Sequence, residues 1–326
     1  MKAITKVKAV IHMSTVAKTS QTDTNVQAER QRAKAKLKWK KVLAYLAFVG
    51  PALLFFVVIQ IIPFFMGVYY SFTSWNGISS ASEWVGFDNY IRIFTNDERF
   101  FDSFLFTTKF MLAAVVISNI IGFSLALLLN TAIKSRNILR TAFFLPNVIG
   151  GLLLGFIWQF IFVRGFAAVG EMTGIPVFQL AWLGDSTTAF WGIVIVFAWQ
   201  ISGYMMVIYI AALQGVDTSL LEAAKIDGAN AFTVLRRIII PLILPAFTIC
   251  FFLTISMAFK IFDLNLSLTG GGPFNSTQSV AINIYQEAFT NNNYGVGSAK
   301  ANIFFIVVMI FTVVQVSLTK KKEVEA

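Results

Sequence analysis

Charge, cysteine and histidine are all scarce in this chain. Charged side chains make up 13% of its 326 residues, against about 25% in a typical soluble domain, so we expect much of the surface to face lipid. The single cysteine, Cys250, lies in an apolar run, which excludes an intrachain disulfide and predicts a small core- or lipid-facing residue. The single histidine, His12, lies in a polar N-terminal stretch without a second ligand type nearby, which argues against a metal or catalytic site.

Two sequence features that supply energy for transport are also missing. The chain contains no GxxxxGK[ST] phosphate-binding loop, so it is not expected to bind ATP. Its apolar segments hold no central row of acidic or histidine side chains of the kind that relays protons. If the chain takes part in active transport, the driving force must therefore come from another polypeptide.

Long apolar runs, in contrast, are abundant. Hydrophobic residues make up 57% of the sequence and include 34 phenylalanines. A helix needs ~20 mostly apolar residues to cross ~30 Å of hydrocarbon. Six windows meet this requirement: 43–65, 106–129, 142–162, 190–213, 238–262 and 301–318. The pattern predicts an all-α polytopic membrane protein, with a basic tail at 1–41, a six-helix transmembrane domain at 42–319 and a short tail at 320–326.

Basic residues predict how these spans are oriented. Twenty of the 26 Lys and Arg residues fall in the two tails and in loops 131–141 and 214–237. The excess places both termini and these loops on the cytoplasmic side of the cell membrane. On the other side, Lys109, Lys260 and Lys300 lie near helix ends, where long side chains can snorkel to the interface. We expect the basic tail to lie on anionic headgroups, and we infer no nucleic-acid partner from the positive charge.

A polar interruption, "EAAKIDGA" at residues 222–229, lies in the second of these cytoplasmic loops. Ser219 followed by Glu222 predicts a capping box at the start of a short helix, and Gly228 suits the left-handed turn that ends one. A second short helix is expected at 230–237. A helix this short is marginal alone in water. It must therefore pack either on the cytoplasmic ends of the same chain or in a groove of a soluble partner.

Several stretches of the sequence resemble one known family. "EAAKIDGANAFTVLRRIIIPLILP" resembles the EAA signature of ATP-binding-cassette (ABC) importer permeases. Four further stretches resemble motifs of the MalF-like branch of carbohydrate-uptake permeases: "VGFDNYIRIF", "FFLPNVIGGLLLGFIW", "FDLNLSLTGGGPFNST" and "YGVGSAKANIFF". The resemblance covers about residues 43–319. It implies the six-helix fold of type I ABC importer permeases, the MetI-like fold.

In that family the EAA helix couples the permease to a separate ATPase. The resemblance assigns this role to five residues of the interruption: Glu222, Ala223, Ala224, Asp227 and Gly228. It implies two ATPase subunits, which would bind ATP and Mg²⁺, so no cofactor is expected in this chain. It further implies a second, MalG-like permease and an extracellular solute-binding protein that delivers the substrate to loops 74–105 and 263–299.

Candidate substrate contacts come from the same resemblance. The motif spacing matches the family's contact positions to seven residues of the fourth and fifth spans: Gln200, Ile201, Tyr204, Thr254, Met257, Ala258 and Ile261. Several are apolar where the maltose protein has asparagines, which argues against a maltose-like hydrogen-bonding pattern. Chemistry alone adds Asn119, Trp158 and Gln159, for which helix–helix packing is the competing role. Lys260 and Asp263 have the i,i+3 spacing of an ion pair, and a direct role in the substrate path is the alternative.

These observations predict a non-catalytic permease subunit that forms half of the pathway for a sugar and is driven by a separate ATPase. The sequence leaves the identity of the sugar open. One alternative is a permease of the same class for another solute, such as glycerol phosphate. A membrane enzyme is a remote alternative, because no nucleophile–base pair or metal cluster is recognisable. A signalling receptor would need a cytoplasmic domain that the sequence does not show.

Overall fold

The computed structural model describes residues 45–79, 82–131 and 133–320, together with Trp39 and Leu43. Most of the predicted basic tail and residues 321–326 of the predicted C-terminal tail lie outside the described residues. The described part is helical, and its only extended pairing is an isolated bridge between Thr73 and Trp84. The prediction of an all-α protein is therefore confirmed.

Twelve helical segments are used below, and their bounds are as follows. The first six are α1 (Tyr45–Tyr70), α2 (Asp88–Asn96), α3 (Glu98–Leu129), α4 (Arg136–Val148), α5 (Gly151–Thr173) and α6 (Ser186–Gln214). The others are α7 (Thr218–Ile226), α8 (Ala231–Leu242), α9 (Leu244–Phe259), α10 (Asp263–Leu268), α11 (Val280–Tyr285) and α12 (Tyr294–Lys320).

Among the described residues, five single helices are long and apolar enough to cross a membrane: α1, α3, α5, α6 and α12. A sixth candidate is the pair α8 and α9, whose axes are bent by 70°. The chain divides into two compact units, one up to Met66 and one from Gly67 onward. All predicted site residues lie in the second unit.

The predicted window 142–162 crosses a break between two helices. Ile149 is extended, with ψ of 126°, and Gly150 precedes the first turn of α5. Two adjacent glycines favour a break here, because glycine is about 1 kcal/mol less favourable than alanine inside a helix. The candidate span accordingly begins at Gly151 and continues to Thr173.

The predicted short helix at 230–237 and the start of the fifth window form one helix, α8. The chain bends after it at Ile243, and α9 then begins with Pro245 in its first turn. Proline is favoured in a first turn because that position needs no N–H donor and its φ is already helical. The fifth window, 238–262, is therefore two helices meeting at an angle.

The centre of the fold is the pair α3 and α6, which run parallel to each other. Phe110 stacks edge-to-face on Phe197 with ring centroids 5.2 Å apart, and Phe123 meets Tyr209 at 5.3 Å. The two helices approach closely at Gly122, where a Cβ would lie 2.8 Å from that of Met205. Because the two helices are parallel, their first residues, Glu98 and Ser186, lie at the same end of the fold, which we call the far end. Their last residues, Leu129 and Gln214, lie at the opposite end, which we call the EAA end.

Candidate functional site

The EAA stretch folds as the predicted short helix, α7, but its first cap differs from the prediction. Asp217 is the N-cap, and its side chain accepts a hydrogen bond of 2.9 Å from the backbone N–H of Ser219. The prediction that Ser219 caps the helix is therefore wrong. Aspartate is as good an N-cap as serine, and here it lies two residues upstream. The hydrogen bonds from Ser219 stabilise the carboxylate and lower the pKa of Asp217.

The end of α7 confirms the prediction for Gly228, whose φ is +76°. The backbone N–H of Gly228 donates to the carbonyl of Lys225 at 3.1 Å, and that of Ala229 donates to the carbonyl of Ala224 at 3.0 Å. This pair of bonds is a Schellman motif, which satisfies the last carbonyls of a helix and needs a left-handed residue. The helix therefore ends at a defined angle rather than fraying.

Most of the α7 surface is open. Glu222, Ala223 and Asp227 are exposed, and Ala224 is the only buried side chain of the helix. Ile226 is 87% exposed and Phe232, at the start of α8, is 68% exposed. The described residues therefore leave most of the α7 surface uncovered. This favours packing against a soluble partner over packing on the cytoplasmic ends of the same chain.

Four of the seven predicted substrate contacts are buried within this chain. Ile201 and Ile261 each keep 4% of their surface, and Thr254 and Ala258 keep none. Thr254 donates a hydrogen bond to the carbonyl of Cys250 at 2.7 Å. These side chains belong to the packed core and present almost no surface to a substrate in this conformation.

The other three predicted contacts retain exposed surface. Met257 is 38% exposed, and Tyr204 is half-buried at the edge of the main core. Gln200 is also half-buried, and its amide donates to the carbonyl of Ile149 at 3.1 Å. That carbonyl belongs to the break between α4 and α5, so Gln200 satisfies a group that the missing helical turn leaves free.

The candidates suggested by chemistry alone have packing partners. Asn119 accepts from the hydroxyl of Tyr209 at 2.7 Å and donates to the hydroxyl of Thr254 at 3.2 Å, which links three core helices. The ring of Trp158 lies 5.5 Å from that of Trp199. Gln159 is exposed and its amide donates to the carbonyl of Leu268 at 3.4 Å.

A buried lysine at the far end was missed by the sequence interpretation. Lys300 is 1% exposed, so the prediction that it snorkels is wrong. Its ammonium lies 2.7 Å from the carboxylate of Asp97 and 3.0 Å from that of Glu287, and it donates to Asn283 at 3.0 Å. The ring of Phe100 lies 5.5 Å from the same ammonium. We call Lys300, Asp97, Glu287 and Asn283 the lysine cluster.

Within the lysine cluster, Glu287 is held in its ionised form. Burial alone would raise its pKa, but hydrogen bonds from Asn293 and Lys300 and the lysine charge outweigh burial and lower it. The prediction that Lys260 and Asp263 form an ion pair, in contrast, is wrong. Both side chains are exposed, and the described residues show no ion pair between them. Lys260 follows the last residue of α9 and Asp263 begins α10, so their i,i+3 spacing does not fall within one helix.

Comparisons with known proteins agree with this architecture. At 49% identity, the chain is similar to the "Probable starch degradation products transport system permease protein AmyD" of Thermoanaerobacterium thermosulfurigenes, covering 90% of this chain and 99% of that one. At 35% identity, it is similar to the "Multiple sugar-binding transport system permease protein MsmF" of Streptococcus mutans, covering 82% and 92%.

Among solved structures, the chain is similar in fold to a bacterial ABC transporter involved in the import of the acidic polysaccharide alginate. The TM-score is 0.75 at 18% identity, over 87% of this chain and 98% of that one. Residues 118–323 match the family described as "Binding-protein-dependent transport system inner membrane component". The chain therefore belongs to this family of transport permeases, and it has their MetI-like fold.

Proposed function

We propose that this chain is a permease subunit of an ATP-driven sugar importer and is coupled to its ATPase through α7. The observation that carries the proposal is the shape of the EAA end. A capped helix ends in a Schellman turn at Gly228 and exposes Glu222, Asp227 and Ile226. An exposed short helix with acidic and apolar side chains fits a helix-in-groove contact with a soluble partner.

Sugar is the substrate class that the relatives favour. The two relatives described above carry names that refer to starch degradation products and to multiple sugars. A glycerol phosphate permease of Pectobacterium atrosepticum is also related, but at 27% identity. The 49% identity to the starch-product permease makes sugar the better assignment. Membership in a transport family argues against the membrane enzyme and the receptor.

The remaining parts of the importer follow from the same reasoning. Two ATPase subunits would bind ATP and Mg²⁺ below α7, and a second, MalG-like permease would complete the pathway. The positive charge of the loops supports cytoplasmic termini and a cytoplasmic EAA end. Within the pathway, we favour Gln200, Tyr204 and Met257 as substrate contacts, because they are the predicted positions that keep exposed surface.

Charge reversal on α7 tests the coupling role. In proteoliposomes that contain the complete importer, Glu222→Lys should lower both sugar uptake and transport-stimulated ATP hydrolysis at least about tenfold, since like-charge or unpaired contacts at a docking surface cost several kcal/mol. Gly228→Val should have a similar effect, because a β-branched residue in the left-handed region costs about 1–2 kcal/mol or more.

The matched control is Glu171→Lys, which makes the same change at an exposed site of the last turn of α5. All three variants should insert into the membrane in normal amounts. Uptake at the wild-type rate by Glu222→Lys and Gly228→Val would contradict the coupling role of α7.

A further inference from the structure

One side of helix α2 is apolar and largely uncovered. Phe87, at its N-cap, is followed by Ile91 and Phe94 at the i+4 and i+7 positions, which places the three side chains on one face of the helix. They are 66%, 57% and 59% exposed, so the described part of the chain leaves more than half of each uncovered. We call these three residues the apolar row. A contiguous apolar surface of this kind marks an interaction site, whereas single exposed apolar residues do not.

The other sides of α2 show where the apolar row lies relative to water. Asp88, Arg92 and Thr95 repeat the same spacing one residue later and form an exposed row of polar side chains, which we call the polar row. Asn89 and Ile93 come next and are buried. The helix therefore has an apolar, a polar and a buried side in succession. An exposed apolar side next to a charged one is the pattern of a helix that lies in the plane of a membrane interface.

Hydrogen bonds hold the buried side of α2 against the rest of the fold. The side-chain amide of Asn89 donates to the carbonyl of Ser71 at 2.9 Å and to that of Thr73 at 2.8 Å. The hydroxyl of Tyr90 accepts from the amide of Asn302 in α12 at 3.2 Å, and it shares a hydrogen bond of 2.8 Å with the hydroxyl of Ser71. These contacts set the rotation of the helix about its axis, so the apolar row points away from the fold whether or not anything covers it.

The apolar row continues into the exposed stripe of a membrane span. Helix α3 is one of the five long apolar helices, and its exposed apolar side chains follow one stripe along it: Phe101, Leu105, Leu112 and Val116. The ring centroids of Phe94 and Phe101 lie 6.0 Å apart. Because the chain belongs to a family of inner membrane components, acyl chains are the expected surroundings of such a stripe. Continuity with α3 therefore favours lipid over a protein as the occupant of the apolar row.

Aromatic rings extend the surface beyond Phe87. The ring of Phe72 lies 5.3 Å from that of Phe87 and 5.4 Å from that of Trp84. Trp84 is 64% exposed, and its ring lies 6.0 Å from that of Tyr69, which is 55% exposed. Tryptophan and tyrosine are enriched where membrane spans reach the water, because their rings are apolar and their N–H and O–H groups are polar. The composition therefore fits the boundary between headgroups and acyl chains.

We propose that α2 is an interfacial helix whose apolar row lies at the boundary between the phospholipid headgroups and the acyl chains. Acyl segments cover the apolar row, Trp84 lies in the same layer, and Arg92 of the polar row extends to the phosphates. Asp97, the residue after α2, lies 2.7 Å from Lys300, so the lipid contact also holds the lysine cluster close to the membrane surface. The inference goes beyond the proposed function, since it involves neither the sugar nor the ATPase.

Nitroxide labels on single introduced cysteines test the proposal in the complete importer in proteoliposomes. The only cysteine of the chain, Cys250, is buried, so the wild-type importer treated with the same reagent supplies the background. Ile91→Cys and Phe94→Cys place labels in the apolar row, and Arg92→Cys and Thr95→Cys, one residue later, are the matched controls in the polar row. All four residues are exposed, so the substitutions leave the core intact. Molecular oxygen concentrates in lipid, whereas a polar nickel chelate stays in water, and their collision rates with the label therefore report its surroundings.

The ratio of the oxygen to the nickel collision rate should be at least about threefold higher at positions 91 and 94 than at positions 92 and 95, because an interfacial helix buries its apolar face ~5–10 Å into the boundary. Addition of the sugar-loaded binding protein should leave the ratio at position 94 unchanged. Equal ratios in both rows would place the apolar row in water and overturn the proposal. Shielding of positions 91 and 94 from both reagents, before or after the binding protein is added, would show that a protein covers the apolar row and would overturn it too. The measurement needs no transport, so its result is independent of the proposed function.

Discussion

Replacement of Lys300 by methionine should destabilise the far end of the fold strongly. Methionine has a similar length and keeps the contact with Phe100, but it removes the charge that faces Asp97 and Glu287 at 2.7 and 3.0 Å. Two carboxylates would then face each other beside Asn283 without a cation. Because one partner of a buried ion pair is lost, the change leaves uncompensated charge on two partly buried carboxylates.

The size of the effect follows from the exposure of the three charged groups. Loss of one partner of a fully buried pair costs about 3–5 kcal/mol. The lysine is 1% exposed, but the side chains of Asp97 and Glu287 are 21% and 14% exposed, so water screens part of the repulsion. We therefore expect a loss of about 2–4 kcal/mol. For a domain of this size, the loss corresponds to a decrease in apparent Tm of roughly 5–10 °C.

Thermal unfolding of the purified chain in detergent at neutral pH measures this decrease. Lys260→Met is the matched control, because Lys260 is exposed and forms no ion pair in the described part of the chain. Adding Glu287→Gln to Lys300→Met should recover part of the loss, since it removes one of the two uncompensated carboxylates. Equal apparent Tm values for Lys300→Met and Lys260→Met would refute the reasoning.

Two further predictions concern acid stability and helix packing. The pKa of Glu287 is lowered from its ordinary 4.5, so the stability that this ionised group contributes is complete above pH 4.5 and is lost as the pH falls below it. Between pH 5 and pH 3, the apparent Tm of Glu287→Gln should therefore fall less than that of the wild type. An equal fall of the apparent Tm with pH in both proteins would contradict this prediction. Gly203→Ala should lower the free energy of unfolding by about 1–3 kcal/mol through overpacking, because its methyl group would overlap the backbone carbonyl of Phe143. The control Gly165→Ala, whose methyl group would have one neighbour at 3.9 Å, should be nearly neutral in the same thermal assay. Similar losses of stability for both variants would count against close packing at Gly203.

The helical architecture could be predicted from the sequence because lipid forces a spanning segment to satisfy its own backbone hydrogen bonds. The left-handed Gly228 was predictable for a related reason, since glycine has no Cβ to oppose that conformation. Both features depend on local sequence alone. The choice of N-cap was not determined in this way, because Asp217 and Ser219 are equally suitable caps two residues apart.

Features that depend on distant segments were not accessible. Lys300 meets Asp97 and Glu287 only because α2, α11 and α12 converge at the far end, and no local pattern distinguishes it from an exposed lysine. The substrate positions matched by motif spacing are another case. Whether Thr254 or Met257 faces outward depends on the packing of α9 against α3 and α6, which hydropathy does not report.

The bend at Ile243 allows a rotation of α8 about its own axis to move α9 sideways. Helix α9 has 16 residues, or about 24 Å at 1.5 Å per residue, and it leaves α8 at 70°. A twist of α8 about its own axis by roughly 10° would sweep the tip of α9 sideways by about 4 Å, as follows from a helix of that length. A small rotation at the base of α9 therefore becomes a sideways displacement of several ångströms at its tip, and neither helix has to stretch or unwind.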